Sequence, residues 1–188
     1  MFKIKNKLES LKTLKQLRLN TMPIEYFETY DEELLDKFFQ EYDFKYYVVR
    51  DFGKASSDLF RFNLSKEQVK EHVKSKNAEK FVVNVSTFNF TGHQICTGAI
   101  LIKRNMQISL SVTCEDNCSV RQAEVNPQYS FNCDIDDRRL DKIDGLDQVI
   151  DYIFKKNLFD VMVEFASMDI PVGTENEKVI IFELRTNY

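Results

Sequence analysis

Two short apolar runs near the C-terminus, Val161-Met162-Val163-Glu164-Phe165 and Val179-Ile180-Ile181-Phe182-Glu183-Leu184, do most to limit what this chain folds into. Both are strand length and rich in β-branched residues. Each carries one glutamate inside an otherwise apolar stretch, where a carboxylate without a partner is costly. They predict strands over 160–165 and 178–184, separated by a loop holding Pro171 and Gly173. Just upstream, Leu146, Val149, Ile150, Ile153 and Phe154 follow helical spacing, which predicts a helix over 145–156 ending at Asn157.

The rest of the chain alternates helix and strand signals. Ile4, Leu8, Leu11, Leu14 and Leu17 form an apolar stripe among lysines, predicting a first helix from Ile4 to Leu19 that stops at Asn20. Pro23 forces an extended exit. A second helix is expected over 32–40, then a strand over 45–50, a polar small-residue loop over 51–57, and a second strand resuming at Leu59. Ser65 and Gln68 have capping-box spacing ahead of a short helix ending near Asn77. Strands over 81–85, 95–103 and 107–113 are expected to form an antiparallel meander with a tight turn at Arg104-Asn105. Residues 114–136 read as a long irregular connection.

At 188 residues the economical reading is one α+β domain of two lobes, about 1–78 and 79–188. Hydrophobic residues make up 43% of the chain, enough apolar surface for an ordinary core. A balance of 26 basic against 30 acidic side chains lacks the basic excess of nucleic-acid binding, so no nucleic-acid partner is expected. The apolar runs fall short of the roughly 20 residues a bilayer span needs, so no membrane partner is expected either. The lysine-rich start has no apolar signal core, and four cysteines are few for a disulfide scaffold, so the expectation is a cytoplasmic protein with reduced thiols.

The candidate chemistry begins at Arg50, which ends a Tyr-Val strand. The loop after it contains Gly53, Lys54, Ser56 and Ser57, which offer backbone N–H groups, a cation and hydroxyls to phosphate oxygens; a solvated hairpin turn is the plainer reading of the same residues. If the two glutamate-bearing strands are neighbours, Glu164 and Glu183 converge on a hard cation such as Mg²⁺, with Asn187 as a third oxygen donor. The alternative is ion pairing of these carboxylates with Arg185, Lys178 or Lys103. Cys114 and Cys118 lack the second pair a zinc site needs, and neither His72 nor His93 sits in a nucleophile motif.

Taken in order, the N-terminal helix with its Pro-containing entry, the strand ending in Arg50, the small-residue loop, the meander, the helix and the acidic strands resemble the ATP-grasp superfamily over nearly the whole chain. The resemblance implies a two-lobed ATP-grasp-like α+β domain with antiparallel sheets flanked by helices. It further implies ATP and Mg²⁺ as cofactors, with Arg50, Gly53, Lys54, Ser56 and Ser57 on the phosphates and Glu164, Glu183 and Asn187 on the metal. Arg50 and Arg185 are the cations expected to act in catalysis. The activity implied is ligase-like, with a carboxylate activated as an acylphosphate, acting on a small-molecule or protein substrate with a protein partner or second copy alongside. Arg50 stands where lysine is more usual, the loop has one glycine, and Arg185 replaces an asparagine. The alternative is therefore a non-catalytic interaction or regulatory module that keeps the fold.

Overall fold

The computed structural model describes residue 4 and residues 7–51, 60–76, 80–114 and 126–186. In chain order these form α1 (Lys7–Gln16), β1 (Ile24–Phe27), α2 (Glu32–Glu41), β2 (Tyr47–Asp51), β3 (Phe60–Leu64), α3 (Lys66–Lys76), β4 (Phe81–Val85), β5 (Gln94–Ile102), β6 (Gln107–Thr113), β7 (Tyr129–Asp134), α4 (Leu146–Lys156), β8 (Met162–Val172) and β9 (Glu177–Arg185). They divide into two compact units, one of residues 22–91 and one of residues 1–21 with 92–188.

In the unit of residues 22–91, an antiparallel sheet runs in the order β1-β4-β2-β3. The central strands β2 and β4 are buried along nearly their whole length, as expected for strands with neighbours on both sides. Helix α2 starts where the Asp31 carboxylate accepts from the Leu34 N–H at 3.0 Å. Its Leu35, Phe38 and Phe39 form one buried face. Phe39 packs on the ring of Tyr47 at 4.7 Å, and Phe27 stacks on its cross-strand partner Phe81 at 4.6 Å. The buried Tyr47 hydroxyl donates to the Tyr42 carbonyl at 2.7 Å, so its polar end is satisfied. Helix α3 opens with the expected capping box: the Ser65 N–H donates to Gln68 Oε1 at 2.8 Å, and the Gln68 N–H donates to Ser65 Oγ at 3.3 Å.

The other unit holds an antiparallel sheet in the order β7-β6-β5-β8-β9. Helix α4 contributes Leu146, Val149, Tyr152 and Ile153 to the core shared with Ile100, Ile102, Val163, Phe165 and Ile181. Gly98 sits mid-sheet: a Cβ there would lie 2.1 Å from the Ser111 carbonyl oxygen, so only glycine lets β5 and β6 approach this closely. Strand β9 is an edge, and the N-terminal segment covers it. The Leu184 N–H donates to Ser10 Oγ at 2.8 Å and the Ile181 N–H to the Asn20 carbonyl at 2.8 Å. The Ile4 N–H donates to Thr186 Oγ1 at 2.9 Å. A sheet edge left open would be a template for pairing with another chain.

Several sequence expectations change. The first helix spans Lys7–Gln16 rather than Ile4–Leu19, because Arg18 turns left-handed at φ 48° and the Leu19 N–H closes back on the Leu14 carbonyl at 3.0 Å. Strand 81–85 does not join the meander; it pairs with β1 and β2, and the boundary between units falls near residue 91 instead of 78. The meander is β5-β6-β7, and β7 lies inside the stretch expected to be irregular. Strand β8 runs on through Pro171, which sits where the ladder to β9 shifts register and no donated N–H is required.

Candidate functional site

Strands β8 and β9 are antiparallel neighbours, and Glu164 stands directly opposite Glu183. Beyond that pair the register slips, with Phe165 opposite Ile181, so Phe182 is an extra residue in β9. A bulge of this kind bends the strand and re-aims the side chain beside it. Glu183 is 8% exposed although it is charged.

Two cations compensate the carboxylates. Arg185 reaches across the strands, with Nη2 at 2.5 Å from Glu164 Oε1 and Nε at 3.1 Å from Glu183 Oε1. The Lys7 ammonium, at the start of α1, pairs with Glu183 Oε2. Burial pushes the Glu183 carboxyl up, but the charge and hydrogen bond of Lys7, with those of Arg185, outweigh it and hold the group below the ordinary carboxylate range. For Arg185, burial acts to lower the guanidinium and the two carboxylates raise it, with a net upward shift. Glu183 is therefore ionised at neutral pH, and the two carboxylates together hold the two cations.

The resemblance read from the sequence implies Mg²⁺, and the donor types here suit that ion. Two carboxylates on adjacent strands offer hard oxygen ligands, and Mg²⁺ is commonly held by one or two carboxylates together with phosphate oxygens and retained water. Among the described residues no group of three or more His, Cys, Asp or Glu side chains is placed to hold a metal ion.

The other predicted residues fall in different places. Arg50 is half-buried on β2, opposite Val82 on β4, in the unit of residues 22–91. Gly53, Lys54, Ser56, Ser57 and Asn187 lie outside the described residues. Of the expected ion-pair partners Arg185 is the one realised in the cluster; Lys7 was missed, since it lies 176 residues from Glu183 in sequence and only the packing of α1 on β9 brings it there. Sequence reasoning also missed Asp51, which follows Arg50. It is 6% exposed, and its Oδ2 lies 3.3 Å from Nε2 of His72 on α3, while its Oδ1 is buried without a hydrogen-bond partner. Among the described residues no helix is long and apolar enough to cross a membrane.

No protein-family model and no curated protein matches this sequence. Solved structures do match, at low identity. N5-carboxyaminoimidazole synthetase from Staphylococcus aureus, complexed with ADP, overlaps with a TM-score of 0.56 at 14% identity, covering 97% of this chain and 44% of its own. An N5-carboxyaminoimidazole ribonucleotide synthetase in complex with ADP gives 0.53 at 10% identity, over 98% of this chain and 45% of its own. The macrocyclase MdnC from Microcystis aeruginosa MRC, bound with precursor peptide MdnA, gives 0.51 at 12% identity, over 96% and 52%. The chain thus spans about half the length of the structures it matches. All three are ATP-grasp enzymes. With its two antiparallel sheets, its helices and an overlap that takes in nearly every residue, this chain has an ATP-grasp-like α+β fold.

Proposed function

We propose that this chain is an ATP-binding domain of a ligase-like enzyme that activates a carboxylate as an acylphosphate. The observation that carries the reading is the in-register pairing of Glu164 with Glu183 on adjacent strands, a ready pair of hard oxygen ligands in an otherwise apolar strand pair. The overlap with a synthetase complexed with ADP supports nucleotide as the ligand. In this reading Arg50, Gly53, Lys54, Ser56 and Ser57 bind phosphate oxygens, and Glu164 and Glu183 hold Mg²⁺, joined by Asn187. Magnesium, when bound, offsets the charge that spreads over the phosphates during transfer. A substrate carboxylate oxygen attacks the γ-phosphorus and ADP leaves. An amine or similar nucleophile then attacks the acyl carbon, the C–O bond to phosphate breaks, and the nucleophile loses its proton to solvent. Arg185 supplies a cation next to the carboxylate pair. A protein partner or a second copy accompanies the chain in this reading, and the setting is the cytoplasm.

One observation favours a second reading. Lys7 and Arg185 already neutralise the two carboxylates, an arrangement that suits a non-catalytic regulatory module as well as a resting enzyme. Glu183→Gln separates the two. The enzyme reading predicts loss of the Mg²⁺-dependent part of ATP-analogue binding in a protein that still folds by circular dichroism. Unchanged Mg²⁺-dependent affinity in this variant would remove the metal assignment.

A further inference from the structure

Lys7 is out of place by local rules. Its charged side chain, in the first described turn of α1, is only 18% exposed. What holds it there is Glu183. The two oxygens of that carboxylate are divided between two cations, Oε2 with Lys7 and Oε1 with Arg185. A metal ion that ligates Glu183 must therefore compete with a cation fixed to a different element. Arg185 belongs to β9 itself and also pairs with Glu164, so its guanidinium stays near the strands whichever oxygen it holds. Lys7 arrives from α1, whose first turns are tied to β9 by Ser10 Oγ on the Leu184 N–H, with Ile4 just ahead of the helix on Thr186.

We propose that Lys7 is a resident counter-cation of the Glu164–Glu183 pair, which exchanges with the divalent cation accompanying nucleotide, so that loading the site loosens the first turn of α1 from β9. The inference rests on the nucleotide and metal reading above and adds a coupling between cation occupancy and the N-terminal helix. Divalent cation at the carboxylates and docked Lys7 are alternative states of one cluster. By reciprocity, the factor by which docked Lys7 weakens metal binding is the factor by which bound metal weakens Lys7 docking.

The test uses Mn²⁺ as the probe, with free ion counted by electron paramagnetic resonance, with and without a non-hydrolysable ATP analogue. Wild type, Lys7→Met and Lys7→Arg are compared, and hydrogen exchange of the α1 amides is followed in wild type. Lys7→Met is expected to bind Mn²⁺ about fivefold to tenfold more tightly, the size expected when one partly buried competing charge is removed. Lys7→Arg keeps wild-type affinity, and α1 exchange in wild type accelerates on addition of Mn²⁺ with the analogue. Manganese binding by Lys7→Met but not by wild type also supports the exchange. Equal affinity in wild type and Lys7→Met, with unchanged α1 exchange, overturns the role of Lys7 and leaves the nucleotide reading standing. Absence of Mn²⁺ binding in all three proteins overturns both. The exchange arm needs only wild type, so it decides the matter if Lys7→Met does not fold.

Discussion

Asn20→Ala is expected to destabilise the protein by about 3–5 kcal/mol, because one fully buried side chain organises the turn that joins β8 to β9. Asn20 Nδ2 donates to the carbonyls of Val172, Glu177 and Val179 at 2.8, 3.0 and 2.9 Å, so its two hydrogens are shared among three acceptors. Its Oδ1 accepts the Glu175 N–H at 2.7 Å. Truncation leaves four main-chain groups without these partners. Those of Glu175 and Glu177 are only partly buried and take water instead; the Val172 and Val179 carbonyls are buried and stay orphaned. Two orphaned groups at about 1–3 kcal/mol each, plus the small void left by the carboxamide, give the stated range. For a chain of this size the loss lowers the melting temperature by roughly 10–15 °C. The main-chain N–H of Asn20, which donates to the Tyr152 hydroxyl at 2.7 Å, is untouched, so the effect reports the side chain alone. The assay is urea and thermal unfolding followed by circular dichroism. A loss under about 1 kcal/mol would refute the reasoning, since it would mean that water or a rearranged turn satisfies the buried carbonyls at almost no cost.

Three further expectations concern the same unit. Glu183→Gln should cost about 1–2 kcal/mol at neutral pH, less than a fully buried ion pair would, because Arg185 is half exposed and keeps Glu164. Because Lys7 and Arg185 hold the folded-state value below the unfolded one of about 4.3, the stability from this carboxylate is complete above that value and is lost as pH falls through the lower folded value. Unfolding curves for wild type and Glu183→Gln should thus converge in acid, and a gap that widens there would contradict the ion pairing. Gly98→Ala should cost about 3 kcal/mol or more, as the added methyl meets the Ser111 carbonyl and the Val112 backbone rather than a flexible side chain; a near-neutral melt would show that β5 and β6 separate easily.

What was legible in the sequence was whatever had a local period or a local motif. Helix α4 follows from Leu146, Val149 and Ile153, and the start of α3 from Ser65 and Gln68. Glu164 and Glu183 stood out because each is a charge inside an apolar strand, and the structure puts them face to face. Strand β7 was lost among polar neighbours, although Tyr129, Phe131 and Cys133 alternate with exposed residues at the period of a half-buried strand. The placement of β4 with β1 and β2 was not readable either, since pairing partners are a tertiary choice and β4 is as apolar as any strand of the other sheet. Lys7 and the Asp51–His72 pair escaped for a related reason: no local pattern marks a contact between elements far apart in the chain.

The most direct test of the central claim is calorimetric titration of the wild-type protein with a non-hydrolysable ATP analogue, with and without Mg²⁺. The account predicts saturable binding that strengthens when Mg²⁺ is present, with Glu164 and Glu183 supplying protein ligands to the ion. Absence of binding at millimolar analogue, with Mg²⁺ present, would contradict it and leave a protein that has the fold without the nucleotide.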